Sequence, residues 1–399
     1  MKFALLTLIV YMGLAFTFSL IIPFMKSLGW EVVRQTQVMA FGALLTIFGQ
    51  FIVGYLADRY RTDKKVFYLA KITLTLITWL LYSRSSSPFL LMALLVGLLS
   101  AFYGIVQSIL DTWIIESDEY CLVNYGWARV FGSIGWAIGA PLTSYFFARA
   151  GYTSLGTVFL FFSVLALAIA FFIDDAKKVQ TKEKLKLIEI RVLLQQRNFV
   201  LLTLVFLFFN IIAWTDGITT IYKIQELGLS LRQSEQEING IISLKYSFQA
   251  VCELPLFFLG AWLVKKFGSI RLVMFATLFL SLRFVLSGLA QSPMQLVYIA
   301  SLQAITFPLI LICSKVLIAQ VSPEHLIASG QQIAIAVHSG VSALVSPLLC
   351  GLLGHNYSFN FVLFAAAAFC GLPLVLLFVY TALNKEQRRL KDVTSAKTY

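Results

Sequence analysis

Apolar runs recur along the entire chain, each close to the roughly 20 residues that a helix needs to cross a bilayer. Twelve such runs are read at 3–25, 38–57, 66–83, 89–113, 127–149, 152–173, 199–222, 238–263, 272–290, 294–319, 329–350 and 359–382. Lipid offers the backbone no hydrogen bonds, so each run must satisfy its own N–H and C=O groups, and a helix does that within one segment. The reading is an all-α membrane protein with twelve transmembrane helices. Composition agrees. The chain is 59% hydrophobic and 13% charged, against roughly 25% charged in a soluble domain. So few charges cannot cover a water-facing surface. The first run is too long for a secretory signal, has no small-residue cleavage site and is followed by many like it, so it is read as the first span.

One long polar segment, from Asp174 to Asn198, divides the runs six and six. The expected organisation is an N-terminal six-helix bundle over 1–173, a central loop over 174–198, and a C-terminal six-helix bundle with a short tail over 199–399. Lys and Arg set the expected orientation. With the N-terminus inside, 20 basic residues fall on the cytoplasmic side, among them Arg59, Arg61, Lys64, Lys65, seven in or beside the central loop and five in the tail. Six fall outside: Lys26, Arg34, Arg84, Arg149, Lys223 and Arg232. Both termini are therefore expected in the cytoplasm, and the location in a bacterial inner membrane. The formal charge of +12 is explained by this loop bias, and no nucleic-acid partner is invoked. Five dispersed cysteines, Cys121, Cys252, Cys313, Cys350 and Cys370, have neither CxxC nor metal-ligand spacing. No metal, no cofactor and no catalytic motif are expected.

Charges inside the runs carry the functional signal, because one at the bilayer centre costs about 2.5–3.5 kcal/mol on insertion scales. They are Asp111, Arg129, Asp216, Lys245, Glu253, Arg283 and Lys315. Lys71, near the start of the third run and able to snorkel to the interface, is read as structural. Asp111 and Arg129 each stand nine residues from Tyr120, the midpoint of one hairpin that also carries Glu116-Ser117-Asp118-Glu119. Both thus lie about 13 Å from its tip, at equal depth. Trp136 follows Arg129 by seven residues and shares its helix face. Carboxylate, guanidinium and indole suit a polar ring-shaped ligand, and equally a structural ion pair beside a packed indole. Gln107 and Ser133 are counted with them as substrate-binding candidates. Gly132, Gly135 and Gly139 on the same helix are read as close-packing positions. In the eighth run, Lys245, Gln249 and Glu253 form one polar stripe, with Asp216, Lys315 and His338 as possible partners. Arg283 is expected to neutralise Glu253. His338 is read first as a packed polar side chain.

Several stretches resemble the major facilitator superfamily. Gly54-x-Leu-Ala-Asp58-Arg59 resembles its second-to-third-helix loop signature, with Arg61 standing where a glycine is usual. The motif recurs weakly 206 residues later as Gly260-Ala261-Trp262-Leu263-Val264-Lys265-Lys266. Tyr125-Gly126-Trp127-Ala128-Arg129 through Trp136 resembles the fifth helix of lactose permease and its oligosaccharide:proton symporter relatives. Cys252-Glu253-Leu254-Pro255 resembles their eighth helix, and Phe307-Pro308-Leu309 through Lys315 their tenth. The resemblance implies two six-helix halves with substrate held between them. It further implies a monomer, and substrate binding by Asp111, Arg129 and Trp136. Coupling would fall to Glu253, Asp216 and Arg283, with a proton gradient as driving force. Gln303 and Thr306 replace the family's titrating histidine and glutamate. The reading is a secondary transporter, taking up a sugar or oligosaccharide with a proton. A permease for a nucleoside or aromatic acid, a drug efflux antiporter, and a non-transporting membrane sensor or assembly protein remain open.

Overall fold

The computed structural model describes residues 2–84, 88–117, 125–176, 187–323 and 326–396. The described residues contain twelve helices long and apolar enough to span a membrane. They are α1 (Lys2–Ser27), α2 (Val32–Ala57), α3 (Asp63–Ser83), α4 (Phe89–Ser117), α5 (Ala128–Ala150), α6 (Thr153–Phe171), α7 (Arg197–Ser230), α8 (Glu235–Phe267), α9 (Ser269–Leu289), α10 (Pro293–Val321), α11 (Gly330–Asn356) and α12 (Phe359–Leu383). Each overlaps one expected run, and most extend beyond it because helix continues past the apolar stretch. The hairpin tip at Tyr120, Cys121, the lysines at 177–186, the Asp58 side chain and the side chains of the tail lie outside the described residues.

Local chemistry explains several boundaries and breaks. α8 begins at a capping box in which Ser234 and Glu237 satisfy each other's backbone N–H groups, and it ends at Gly268 with φ +80°. α1, α10 and α12 are each interrupted, before Ile21, before Gln303 and before Gly371. The α11 segment contains a π-helical turn, Ala336–Val341, a feature common at functional sites. The central segment is not wholly loop: Leu187–Gln195 is a short helix.

Helix pairing repeats with a shift of six. Extensive packing of α1 on α5 and α6, of α2 on α4, and of α3 on α4 and α6 recurs as α7 on α11 and α12, α8 on α10, and α9 on α10 and α12. Small residues permit the closest approach. A side chain on Gly135 would collide with the Leu8 carbonyl, and one on Gly139 would come within 2.6 Å of Met12 O. These glycines are therefore packing positions for α1, as their spacing suggests.

The two halves meet through α5 with α8 and α2 with α11. Along α5 and α8 the contacts form an antiparallel ladder. Gln236 donates to Ala148 O, Gly240 faces Ser144, and Ser247 donates to Ala137 O at 2.6 Å. On α2 and α11, Thr36 abuts Gly351 and Ile47 abuts Gly340. Every one of these contacts lies between mid-bundle and the face away from the chain termini. The same asymmetry appears in the core. One apolar cluster fills the first six helices and continues into Ile218, Ile221, Ile238 and Ile242 of the second half, while the other lies in the last six helices and takes in Leu193 of the short central helix. α8 and α2 are also the least buried spans, at 17% and 22% of their apolar windows. Two helices that face the opposite half would be covered along their length if the halves were sealed throughout. The halves are closed toward the far face and splayed toward the face bearing the termini.

Two basic residues lie further inward than their position in the sequence suggests. Lys71 does not snorkel: it is fully buried between α3 and α6, its Nζ 4.2 Å from the centroid of the Phe159 ring. Lys223 lies within α7 rather than in an outer loop, and its buried Nζ donates to Gly288 O on α9 at 2.7 Å. Both ammonium groups lie toward the bundle interior because their stems pack against neighbouring helices.

The turn joining α2 to α3 is tight. Arg61 adopts φ +52°, which explains why glycine suits the position. Thr62 then caps α3 by accepting from Lys65 N. Asp175, just beyond α6, completes the cap. Its carboxylate accepts from Thr62 Oγ1 at 2.5 Å and from the Asp63 and Lys64 amides, each at 3.0 Å. A carboxylate at a helix N-terminus is stabilised by the orphan amides and the helix dipole. Asp175→Ala is expected to destabilise the purified protein by about 1–2 kcal/mol, read as a lower Tm. Asp174→Ala, which keeps the backbone carbonyl that accepts from Trp113 Nε1, should leave the Tm nearly unchanged.

Candidate functional site

Mid-bundle, where the inter-half contacts end, α4, α5, α1 and α8 bring a polar group of side chains together. Steps of four on α4 place Tyr103, Gln107 and Asp111 on one face. Gln107 lies within hydrogen-bonding reach of the Tyr103 hydroxyl. From α5, Arg129 folds back past Gly132 and lays its guanidinium over the Tyr11 ring of α1, 4.7 Å from the centroid. Asp111 and Arg129 both stand within electrostatic range of the Tyr11 hydroxyl. Ser133, one turn beyond Arg129, is half-buried on the same helix.

Trp136 is the link between the halves. Its ring meets Tyr103 edge-on at 6.4 Å and, across the interface, Tyr246 of α8 at 6.2 Å. Three members of this group, Tyr11, Tyr103 and Tyr246, are not among the sequence candidates. With 16 Tyr, 35 Phe and 7 Trp in the chain, an aromatic in an apolar run carries no signal until its neighbours are known. Only the step of four from Asp111 to Gln107 to Tyr103 could have pointed to one of them.

Tyr246 leads into the charge cluster of the second half. Lys245 Nζ sits 4.8 Å from the Tyr246 ring centroid and 3.6 Å from Asp216 Oδ2. The same oxygen takes a 2.6 Å ion pair from Arg283 Nη2, while Thr220 donates to Oδ1 at 3.0 Å. Asp216, Lys245 and Arg283 are 3%, 1% and 2% exposed, so this triad is sealed from water. Arg283 pairs with Asp216 rather than Glu253, a departure from the expected partnership. Its other nitrogen, Nη1, donates to Gln303 Oε1 at 2.5 Å, and Gln303 in turn lies within hydrogen-bonding reach of Glu253. The break in α10 presents Gln303 at the start of its second segment, between the two. Glu253 is buried, and the Gln249 amide donates to it at 3.5 Å.

The other candidates stand apart. Lys315 is exposed, twelve residues beyond Gln303, which is about 18 Å along the helix, too far to join the triad. His338, on the π turn, is held by Asn210 Nδ2 at 3.3 Å and Ser339 Oγ at 3.1 Å and packs against Phe206. It is a packed polar side chain. Gly54 has open space around its Cα, and Arg59 is exposed, its guanidinium 3.5 Å from Tyr55 Oη.

This arrangement can be set beside known proteins. The MFS_1 like family model matches residues 3–366. The chain belongs to this family. It is thus a major facilitator protein, a multi-pass membrane secondary transporter. A maltose permease from Geobacillus stearothermophilus is 23% identical over 357 residues, covering 88% of this chain and 85% of that protein. Among solved structures, the nucleoside transporter NupG superposes with a TM-score of 0.78 at 14% identity, and a mutant of it with 0.80 at 13%. Each comparison covers 96% of this chain and 98% of that one. At such identities the likeness shows the fold: the major facilitator architecture, with twelve membrane-spanning helices and no strand among the described residues.

Removing one partner of a buried ion cluster leaves an uncompensated charge in a dry site. Asp216→Asn would leave Lys245 and Arg283 facing each other without a carboxylate. The expected cost is about 3–5 kcal/mol, seen as a drop in Tm and in the yield of folded protein. Asp216→Asn combined with Lys245→Met should recover much of that loss.

Proposed function

We propose that this major facilitator protein takes up a small hydroxylated ring solute, a sugar or oligosaccharide, together with a proton. The observation that carries the reading is the placement of Arg129, Asp111 and Trp136 at the mid-bundle point where α5 meets α8. A guanidinium and a carboxylate bind hydroxyls with charge-assisted hydrogen bonds, and an indole offers an apolar face to a sugar ring. A site between two halves that are sealed on one side and splayed on the other fits alternating access. The maltose permease match over most of the chain supports a sugar. The nucleoside transporter match supports the second reading, a nucleoside, whose ribose and base ask for the same hydroxyl and stacking contacts.

Glu253 is our candidate proton carrier. Asp216 is held by two cations and a hydroxyl, so protonating it would strand both cations. Glu253 is held by carboxamides, which serve a neutral carboxyl as well as a carboxylate. Gln303 and Thr306 do not titrate, and the Thr306 hydroxyl bonds its own helix at Gln303 O. The excess of basic loop residues on the side bearing the termini supports an orientation with both termini and the splayed face in the cytoplasm.

Binding is tested by screening purified protein against maltose, uridine and an aromatic acid. Arg129→Lys should lose affinity, because an ammonium lacks the planar two-pronged fork. Trp136→Tyr should bind more tightly than Trp136→Ala. Near-normal affinity in Arg129→Lys and Asp111→Ala would reduce that pair to a structural role. Coupling is tested in proteoliposomes under an imposed pH gradient. Glu253→Gln should abolish accumulation yet spare counterflow. Normal accumulation in that variant would move the proton site elsewhere. The absence of gradient-driven accumulation in the unaltered protein would indicate a facilitator.

A further inference from the structure

The C-terminal half presents a polar group of its own to the space between the halves. On α7, Ile218, Ile221 and Tyr222 face the other half. Both isoleucines belong to the apolar cluster of the first six helices, and the Tyr222 hydroxyl donates to Gln35 Oε1 of α2 at 2.9 Å. Trp214 lies four and seven residues before the two isoleucines, so it continues that face. Asn210 lies one turn further toward the splayed side. Trp214 is 43% exposed, although α7 packs against α9, α10, α11 and α12, so its indole stands in the opening between the halves. Its depth matches the central site. Asp216, two residues on and about 3 Å along the axis, stands beside Lys245, whose neighbour Tyr246 meets Trp136. We propose that Trp214, Asn210 and Ser339 form a second ring-binding subsite, so that the solute held at Trp136 and Arg129 is a neutral sugar of two linked rings. The assignment rests on the sugar reading of the central site and names the solute within it.

The hydrogen-bonding pattern fixes what this wall offers. Asn210 Nδ2 donates to Phe206 O at 2.8 Å and meets His338 Nδ1 at 3.3 Å. A carboxamide nitrogen only donates, so Nδ1 is an acceptor and the ring proton lies on Nε2. Ser339 Oγ, 3.1 Å from the same nitrogen, then turns its single proton to it as well. His338, packed as it is, acts as a positioning residue. It engages the donors of both neighbours and leaves Asn210 Oδ1 and Ser339 Oγ as acceptors. Both residues are half-buried rather than sealed. Ser339 lies on the inner side of α11, because Val341, Leu349 and Leu352 form an exposed apolar stripe on the opposite side, and Gly340 beside it meets Ile47 of α2. Two acceptors near an exposed indole suit a pyranose ring, whose hydroxyls donate and whose apolar face stacks. These three side chains are uncharged, which favours a neutral ring.

Two rings follow from two sets. Each half carries an indole with its own hydrogen-bonding groups: Trp136 with Arg129 and Asp111, and Trp214 with Asn210 and Ser339. The first set stands by the α5–α8 contact and the second by the α2–α11 contact, the two separate places where the halves meet. One ring at the first set leaves the second empty, whereas two linked rings fill both. A two-ring solute is then held by both halves at once.

The test is isothermal titration calorimetry on the purified full-length protein with maltose and with methyl α-glucoside, its single-ring counterpart. The unaltered protein is expected to bind maltose about tenfold more tightly. Trp214→Ala and Asn210→Leu should each remove most of that advantage, weakening maltose and leaving methyl α-glucoside unchanged, while Trp136→Ala weakens both. Trp214→Phe, which keeps a ring to stack, should lose less maltose affinity than Trp214→Ala. Trp214 is exposed, so replacing it leaves the core intact, and an unchanged Tm checks this. A second arm needs no loss of affinity. In a chain freed of native cysteines, Ser339→Cys should be alkylated more slowly with saturating maltose but at an unchanged rate with saturating methyl α-glucoside. Equal weakening of the two sugars by the Trp214 and Asn210 changes, no weakening of either, or equal protection of the cysteine by both would overturn the second subsite and leave the sugar reading standing. No binding of either sugar to the unaltered protein would overturn both.

Discussion

A membrane interior does not solvate charge, and the C-terminal half is organised around that constraint. Asp216 accepts from Arg283 and Thr220 and stands within ion-pair distance of Lys245. These contacts draw α7, α8 and α9 together where lipid alone would give no reason for them to associate. Arg283 then reaches across to Gln303 at the break in α10, and Gln303 borders Glu253. The four ionisable side chains are balanced when Glu253 is ionised and carry one excess positive charge when it is protonated. A single proton thus changes the charge state of a cluster that ties four helices together.

The N-terminal half answers the same constraint differently. Arg129 lies over Tyr11 and Lys71 over Phe159, so aromatic faces take part of the role that carboxylates play in the other half. Trp136 and Tyr246 join the two systems edge to face. Since Tyr246 is next to Lys245 in the chain and beneath its ammonium, a ligand that moves the Trp136–Tyr246 contact also acts on the Asp216 cluster. The shift-of-six pairing of helices makes each half a unit, and on the proposed alternating-access reading the two units would rock about that contact. The ladder from Ala148 to Ala137 seals one face and ends where the aromatic pair begins.

Much of this is legible in the amino-acid sequence, for identifiable reasons. Length and hydropathy expose all twelve spans, because nothing else sustains such runs. Asp216, Lys245, Glu253 and Arg283 stand out because a charge in an apolar run requires compensation, although the sequence pairs Arg283 with the wrong carboxylate. Glu253 and Asp216 are equally available to it until the turn of each helix is known. Gly135 and Gly139 announce the α1 contact. Tyr11, Tyr103 and Tyr246 are hidden because lipid-facing and site-lining aromatics look alike in sequence. Asp175 is hidden for another reason: its role depends on a chain reversal that brings the end of α6 to the start of α3. Lys71 is structural as read, but that it points inward over Phe159 rather than snorkelling is hidden, because a position near a helix end says nothing about which way the side chain points.

The central claim is that the two halves rock about the Trp136–Tyr246 contact, opening one face as the other closes. The most direct test is a pair of spin-label distance measurements in lipid bilayers, in a chain freed of native cysteines. Labels at Arg149 and Arg232 report the sealed face, and labels at Tyr60 and Lys265 report the splayed one; all four positions are exposed. With saturating maltose or uridine, the account predicts reciprocal change: the population with a longer Arg149–Arg232 distance grows as that with a shorter Tyr60–Lys265 distance grows. Distances that stay fixed with either solute, or that lengthen together on both faces, would contradict it.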